Sequence, residues 1–277
     1  NPDAAGMIDQ HITDIIVINN TEWDFLLTSG TSTDCTHSIQ SVTGTENKPI
    51  VYYANGAYTI EDWNNNVSGI IMCNADSSIL RNITLDRDGV ENNGIVMSET
   101  DSAKISNLNI TDMESGLYFY AWSTNNDIND SIFNSNYRGL YLADSASNTI
   151  RNVTTNKNYH GLELSATSAN CEFYEITANN NTAYGVFLNG ADQATIVNAT
   201  ANNNNNGIGF IWSDESTAQN INASKNTQYG IRIYDSDLVN LTDVVVKNNQ
   251  QGIRNEYPTN CAFVNITAQD NEYGAYF

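Results

Sequence analysis

Positive charge is scarce in this sequence. Eleven lysines and arginines stand against 32 aspartates and glutamates, a net charge of −21 over 277 residues. So few basic residues leave no footprint for nucleic acid, whose capture depends on clustered Lys and Arg, and the same sign disfavours anionic lipid surfaces. Histidine occurs only at His11, His37 and His160, too scattered for a histidine-built metal site. The four cysteines, Cys35, Cys73, Cys171 and Cys261, make no C-x-x-C pair and no zinc spacing. No apolar run approaches the ~18 residues that carry a helix across a bilayer, so no direct membrane insertion is expected. Charged residues make up only 16% of the chain, against roughly 25% in typical soluble domains. The sequence starts at Asn1, which fits a processed protein or an excised fragment, and export has to be inferred from other features.

What fills the space is asparagine, present 44 times. With 40% hydrophobic and 10% aromatic residues there is ample material for a core, which argues against a disordered polar chain. A short motif, glycine–apolar–x–apolar, recurs at Gly69, Gly94, Gly116, Gly139, Gly161, Gly185, Gly207, Gly230, Gly252 and Gly274. Successive glycines are 25, 22, 23, 22, 24, 22, 23, 22 and 22 residues apart. Inside each motif the apolar positions alternate, the period of a strand and not of a helix. A second motif lies between the glycines, with asparagine just before an apolar residue and then threonine, at Asn82, Asn109, Asn152, Asn198, Asn240 and Asn265. It suggests two short strands meeting at a tight bend, where asparagine tolerates the left-handed conformation. Polar lead-ins such as Asn202–Asn206 before Gly207 read as turns in which amides stack along an axis.

Coils of about 22 residues built from short strands, with no helical period, predict an all-β solenoid. On these glycine-started strands and asparagine bends the sequence resembles the right-handed, single-stranded parallel β-helix repeat family. Within it, the chain is most similar to asparagine-rich archaeal cell-surface repeats, including disaggregatase-like ones. The resemblance covers about residues 60–277. It implies a fold more than an activity, since lyases, glycosidases, adhesins and viral spikes share the scaffold. Residues 1–60 do not repeat and are expected to cap the first coil, with 61–277 forming one continuous solenoid of about nine coils. Cys35 and Cys73 are placed either to bridge cap and first coil or to stay free. Cys171 and Cys261 sit four coils apart, ~19 Å at ~4.8 Å per coil, so free thiols are expected there.

The residue two after each glycine should point outward, giving a stripe that includes Tyr118, Tyr141, Glu163, Phe187, Arg232, Arg254 and Tyr276, with Tyr120, Trp122 and Trp212 just beyond. Tyr118, Tyr120, Trp122, Tyr141, Phe187, Trp212, Arg232 and Arg254 are candidate glycan contacts, because aromatic faces and polar rims suit sugar rings. Cross-coil packing or assembly is the competing reading of the same stripe. Arg232 and Arg254 should stand on adjacent coils, compensated by Asp235 and Glu256 or gripping a uronate or sulfate. Asp144, Glu163, Asp235 and Glu256 are weak catalytic candidates, since any carboxylates one or two coils apart meet the ~5–9.5 Å spacing of glycosidases. No glycosidase signature of this fold is present. Asp86, Asp88 and Glu91 resemble part of a calcium loop, and calcium is the one cofactor weighed.

Eleven N-x-S/T sequons occur. With 44 asparagines and 48 serines plus threonines, a comparable number arises by chance. The bend asparagines are expected to face inward, leaving Asn19, Asn66 and Asn180 as glycosylation candidates. Phe277 falls in an inward position, which predicts an open C-terminal coil joined to further domains or other subunits of a filament or sheath. The reading as a whole is an extracellular or cell-surface structural or adhesive module with polysaccharide as a partner. The alternative is a polysaccharide lyase or glycoside hydrolase.

Overall fold

The computed structural model describes residues 10–18, 35–86, 92–165 and 167–277. The chain winds into a right-handed parallel β-helix. One sheet of twelve strands holds the glycine motifs, from Gly69–Cys73 through His160–Ser165 to Tyr273–Tyr276. A second sheet of ten strands holds the bends, from Thr59–Asn64 to Ala262–Gln269. We call these the glycine sheet and the asparagine sheet. Every pairing in them is parallel except that of Val42–Thr43 with Pro49–Ala54 at the N-terminal edge.

Inward alternation fills the core. Ile95 with Met97, Leu117 with Phe119, Leu140 with Leu142, Leu162 with Leu164, Val186 with Leu188 and Ile231 with Ile233 are all buried as the motif predicts. The largest rings in the interior are Phe119, Phe133, Phe173 and Phe210. The glycines recur because coils meet there. A Cβ at Gly161 would lie 2.5 Å from the Gly185 carbonyl oxygen and 2.9 Å from the Asn181 side-chain nitrogen.

That nitrogen belongs to a buried column of asparagines at the turns preceding the glycines. The side-chain oxygens of Asn158, Asn181, Asn204, Asn226 and Asn249 each accept the backbone N–H of the asparagine one coil before, at 2.7–2.9 Å. Asn158 donates its amide to the Phe133 carbonyl at 3.0 Å, and Asn204 to that of Ala178. Backbone groups that a turn would strand inside the core are thereby satisfied.

The bend of the asparagine sheet is a second column, on the outside. Asp62, Asn82, Asn107, Asp130, Asn152, Glu175, Asn198, Asn220, Asp243 and Asn265 follow one another in register, all with positive φ between 49° and 60°. Two expected bend residues are therefore corrected. Asn109 and Asn240 lie in extended strand, and Asn107 and Asp243 make those bends. The six bend asparagines are also exposed, against the inward expectation. Their side chains are linked along the axis, as in Asn152 Nδ2 to Asp130 Oδ1 at 2.6 Å and Asn265 Nδ2 to Asp243 Oδ1 at 2.6 Å.

The N-terminal segment does more than lie across one end. Ile39 and Val42 pack with Ile50, Ile71 and Val96, covering the outer face of the first glycine-sheet strands. Pro49–Ala54 already pairs with Gly69–Cys73, so the solenoid begins inside the segment expected to be cap. A Cys35–Cys73 disulfide joins the segment to that first coil. Cys171 and Cys261 are free. Phe277 is not inward: it is 72% exposed, its ring edge-on to Phe263 at 5.1 Å.

Candidate functional site

The outward stripe of the glycine sheet is in register from Tyr52 to Tyr276. Its lower part, Ile71 and Val96, is buried beneath the N-terminal segment. Above that the face opens. Tyr118 and Tyr141 stack at 4.9 Å and 12° between planes, and Tyr120 tilts against Tyr118 at 5.7 Å.

The residue before each glycine also borders the face. Arg138, His160 and Tyr184 hold that position in successive coils. Arg138 sits 4.7 Å over the Tyr141 ring and 4.9 Å over Tyr137. Its Nε donates to Glu163 Oε2 at 2.7 Å and its Nη1 to Glu114 Oε1 at 3.0 Å. Glu163, expected to be an open carboxylate on the stripe, is thus buried and committed to an arginine. Burial pushes its carboxyl above the usual range, and the Arg138 charge opposes that shift.

His160 stacks on Phe187 at 5.1 Å and on Tyr184 at 5.8 Å, while Tyr184 and Phe187 stack at 4.5 Å. Burial first, and Arg138 second, lower the His160 pKa to about 4, so the imidazole is neutral near pH 7. Its Nδ1 is buried without a hydrogen-bond partner. One coil on, Gly209 provides the notch into which Tyr184 lies: a Cβ there would meet the ring at 2.6 Å.

Arg232 and Arg254 then stand on adjacent coils, in register. Glu256 alone bridges them, at 3.6 Å to Arg232 and 2.9 Å to Arg254. The arginines hold the Glu256 carboxyl below the usual carboxylate range. Asp235, the other expected compensator, is an exposed corner residue with positive φ and makes neither contact. The Nε atoms of both arginines are buried and unpartnered. Arg254 lies 3.9 Å over the Tyr276 ring.

A corner column borders the face. Trp122 and Trp212 occupy it with φ of 60° and 50°, and are 58% and 54% exposed. Bulky residues seldom take that conformation. Trp212 meets Tyr234 edge-on at 6.0 Å. Asp144 is in the same column, its side chain accepting from Thr167 Oγ1 at 3.2 Å, so it does not join Glu163 in a carboxylate pair. Among the remaining candidates, Asn66 and Asn180 are exposed, as is Asp86. Asn19, Asp88 and Glu91 lie outside the described residues. Sequence reasoning missed Arg138, His160, Tyr184 and Glu114. A signal for the first three was present, since Arg, His or Tyr repeatedly stands immediately before the glycine.

Several solved structures share this fold. A variant of the periplasmic alginate epimerase AlgG superposes with a TM-score of 0.59 at 15% identity, over 88% of this chain and 63% of that one. The Azotobacter vinelandii mannuronan C-5 epimerase AlgE4 A-module gives 0.57 at 14%, over 86% and 81%. The enzymatically active domain of bacteriophage CBA120 tailspike protein 2 gives 0.58 at 12%, over 79% and 39%. The chain thus spans less than two thirds of that AlgG variant and of the tailspike domain. No curated protein sequence matches it.

A family model, described as periplasmic copper-binding protein (NosD), matches residues 78–222. Copper prefers histidine, cysteine or methionine donors gathered at one point. Among the described residues no three His, Cys, Asp or Glu side chains come together in a metal-holding group. His160 is walled in by rings, and Cys171 is a buried thiol pushed up to about 12. Among the described residues, therefore, the histidine and cysteine donors do not fit a copper centre. The family assignment rests instead on the matched coils, which are more than half of the chain and lie in the middle of its solenoid: the chain belongs to the NosD family of parallel β-helix proteins.

Proposed function

We propose that this chain is a polysaccharide-binding solenoid working on the outer side of the cell membrane, with the open part of the glycine sheet as its binding face. One observation carries the reading. A continuous outward row runs from Tyr118 and Tyr141 over Arg138, His160, Phe187 and Tyr184 to Arg232 and Arg254, alternating aromatic planes with charge-paired hydrogen-bonding groups. Flat rings meet the C–H faces of sugars, and fixed arginines and carboxylates meet hydroxyl and acidic rims. The spacing of ~4.8 Å per coil is close to one sugar ring along an extended chain. The matching family and the AlgG epimerase are both periplasmic, and the alginate and mannuronan epimerases are named for sugar polymers, which supports both location and ligand class. Within that reading, the commitment of Glu163 and Glu256 to arginines supports a structural or adhesive role at a cell surface over a catalytic one.

Affinity electrophoresis in gels containing acidic or neutral polysaccharides tests the proposal. Retardation by at least one polymer, reduced at least tenfold in affinity by Tyr141→Ala or Arg232→Ala, is expected. Equal mobility in every gel removes it. A second reading has one observation in its favour: Glu163 and His160, two groups with displaced proton affinities, share this face. New reducing ends or unsaturated products that vanish with Glu163→Gln would make the chain an enzyme.

A further inference from the structure

The register of the asparagine sheet divides the solenoid into ten coils, beginning at Thr59, Ile79, Lys104, Asp127, Thr149, Glu172, Thr195, Thr217, Asn240 and Ala262. Ten of the eleven sequons fall within them, and each coil contains one. Ten sequons scattered at random would leave some coils empty and double others.

The repeat itself does not account for this. In four coils the sequon asparagine is the bend residue: Asn82, Asn152, Asn198 and Asn265. In the other six the bend residue carries no sequon, and the sequon has moved. It stands two places later at Asn109 and Asn222, one earlier at Asn129, three earlier at Asn240, and in the following turn at Asn66 and Asn180. A requirement for asparagine at a left-handed bend would fix the position and leave the downstream Ser or Thr free. Part of the pattern is a threonine position of the repeat, since Thr154, Thr177 and Thr200 are in register and Thr177 follows Glu175 without a sequon, yet six coils keep the tripeptide away from the bend.

Exposure separates the two kinds of asparagine. Among the described residues none of the eleven buried asparagines is the acceptor of a sequon, although Asn181 is the middle residue of the one at Asn180. Of the ten sequon asparagines in the coils, nine are exposed and Asn129 is half-buried. All ten lie on the asparagine sheet or in the turn just after it, and none on the glycine sheet.

From one sequon per coil, displaced in register yet always on the outside, we infer that the asparagine-sheet side of the solenoid is N-glycosylated, one acceptor per coil. The co-substrate is a phosphate-activated glycosyl donor. The asparagine Nδ2 bonds to the anomeric carbon as the bond from that carbon to the phosphate oxygen breaks. The phosphate leaves with the electron pair, and the amide loses one proton. The remaining N–H still reaches along the axis, so a bond such as Asn152 Nδ2 to Asp130 Oδ1 survives substitution. One side of the solenoid is then sugar-coated while the aromatic face stays bare.

Glycopeptide mapping of the protein secreted by the cells that make it tests this. Chymotrypsin suits a chain with 15 tyrosines and 8 phenylalanines. Sugar masses are expected on Asn82, Asn152, Asn198 and Asn265 and on most of the displaced sites. Asn107 and Asn220, equally exposed at the bend but outside any sequon, should be bare. Thr154→Ala should abolish the addition at Asn152 with no change in melting temperature beyond that of losing one sugar. Ten unmodified sequons, or additions on Asn107 and Asn220 as frequent as on the sequons, would overturn the inference. Either result leaves polysaccharide retention by the opposite face unaffected, so the two proposals fail separately.

Discussion

Adding one methyl group at Gly161 places a carbon 2.5 Å from the Gly185 carbonyl, whereas at Gly274 the nearest atom is the Ala268 Cβ at 3.9 Å. Backbone cannot retreat as a flexible side chain does. Gly161→Ala should therefore destabilise by about 1–3 kcal/mol, and Gly274→Ala by a few tenths at most. Urea midpoints of the two variants check the contrast, and equal values would refute the steric account. At the same scale, His160 makes stability pH-dependent. Its folded pKa of about 4 lies below the ordinary 6.5, so the unfolded chain binds more protons between those values. Stability contributed by the neutral ring is complete above pH 6.5 and is lost as pH falls towards 4. The loss should amount to about 2 kcal/mol after screening on its open side. His160→Phe keeps the stack on Phe187 and Tyr184 and should flatten this part of the pH–stability curve, measured by urea unfolding at pH 7 and pH 5.

At the level of the turn, position along the ladder decides what an asparagine is worth. Asn158 is buried, accepts the Asn136 N–H at 2.7 Å and donates to the Phe133 carbonyl at 3.0 Å. Asn156, two residues earlier, accepts the Asn179 N–H at 2.7 Å but is only half-buried. Water can replace the second and not the first. Asn158→Ala should cost about 2–3 kcal/mol and Asn156→Ala under about 1 kcal/mol. Thermal melts of the pair test this. The elements themselves were legible because strands and glycines repeat every 22–25 residues. The exact bend was not. In Asn107-Leu108-Asn109 two asparagines share the motif, and only strand register shows that Asn107 turns. Glu163 was correctly placed outward, yet its burial depends on Arg138 of the preceding coil, a contact no single repeat encodes. Asp235 was misjudged for a different reason, because its corner conformation turns it away from the arginines of its own sheet.

Across the whole molecule, the excess negative charge lies in columns as well as in total. Asp192, Asp214 and Asp237 follow one another up one edge, where Asp192 Oδ1 accepts the Asp214 N–H at 2.8 Å and Asp214 Oδ1 accepts that of Asp237 at 2.7 Å. Stacking holds these carboxylates close, the backbone N–H groups they accept offset part of their repulsion, and counterions screen the rest. Raising sodium chloride from ~10 mM to ~0.5 M, which shortens the screening length several-fold, should raise the melting temperature by a few degrees. A flat or falling dependence would mean that the backbone ladder already offsets the repulsion. The backbone bonds joining the coils all point along the long axis, and this determines how the molecule answers force. Pulled end to end, it presents few bonds at a time, those between the outermost coil and the next, and not the whole sheet in shear. It should peel one coil after another at low tension, each rupture releasing up to ~75 Å of slack chain. Under load the molecule would lengthen in steps, with the Cys35–Cys73 bridge holding the chain between those two residues out of the released length.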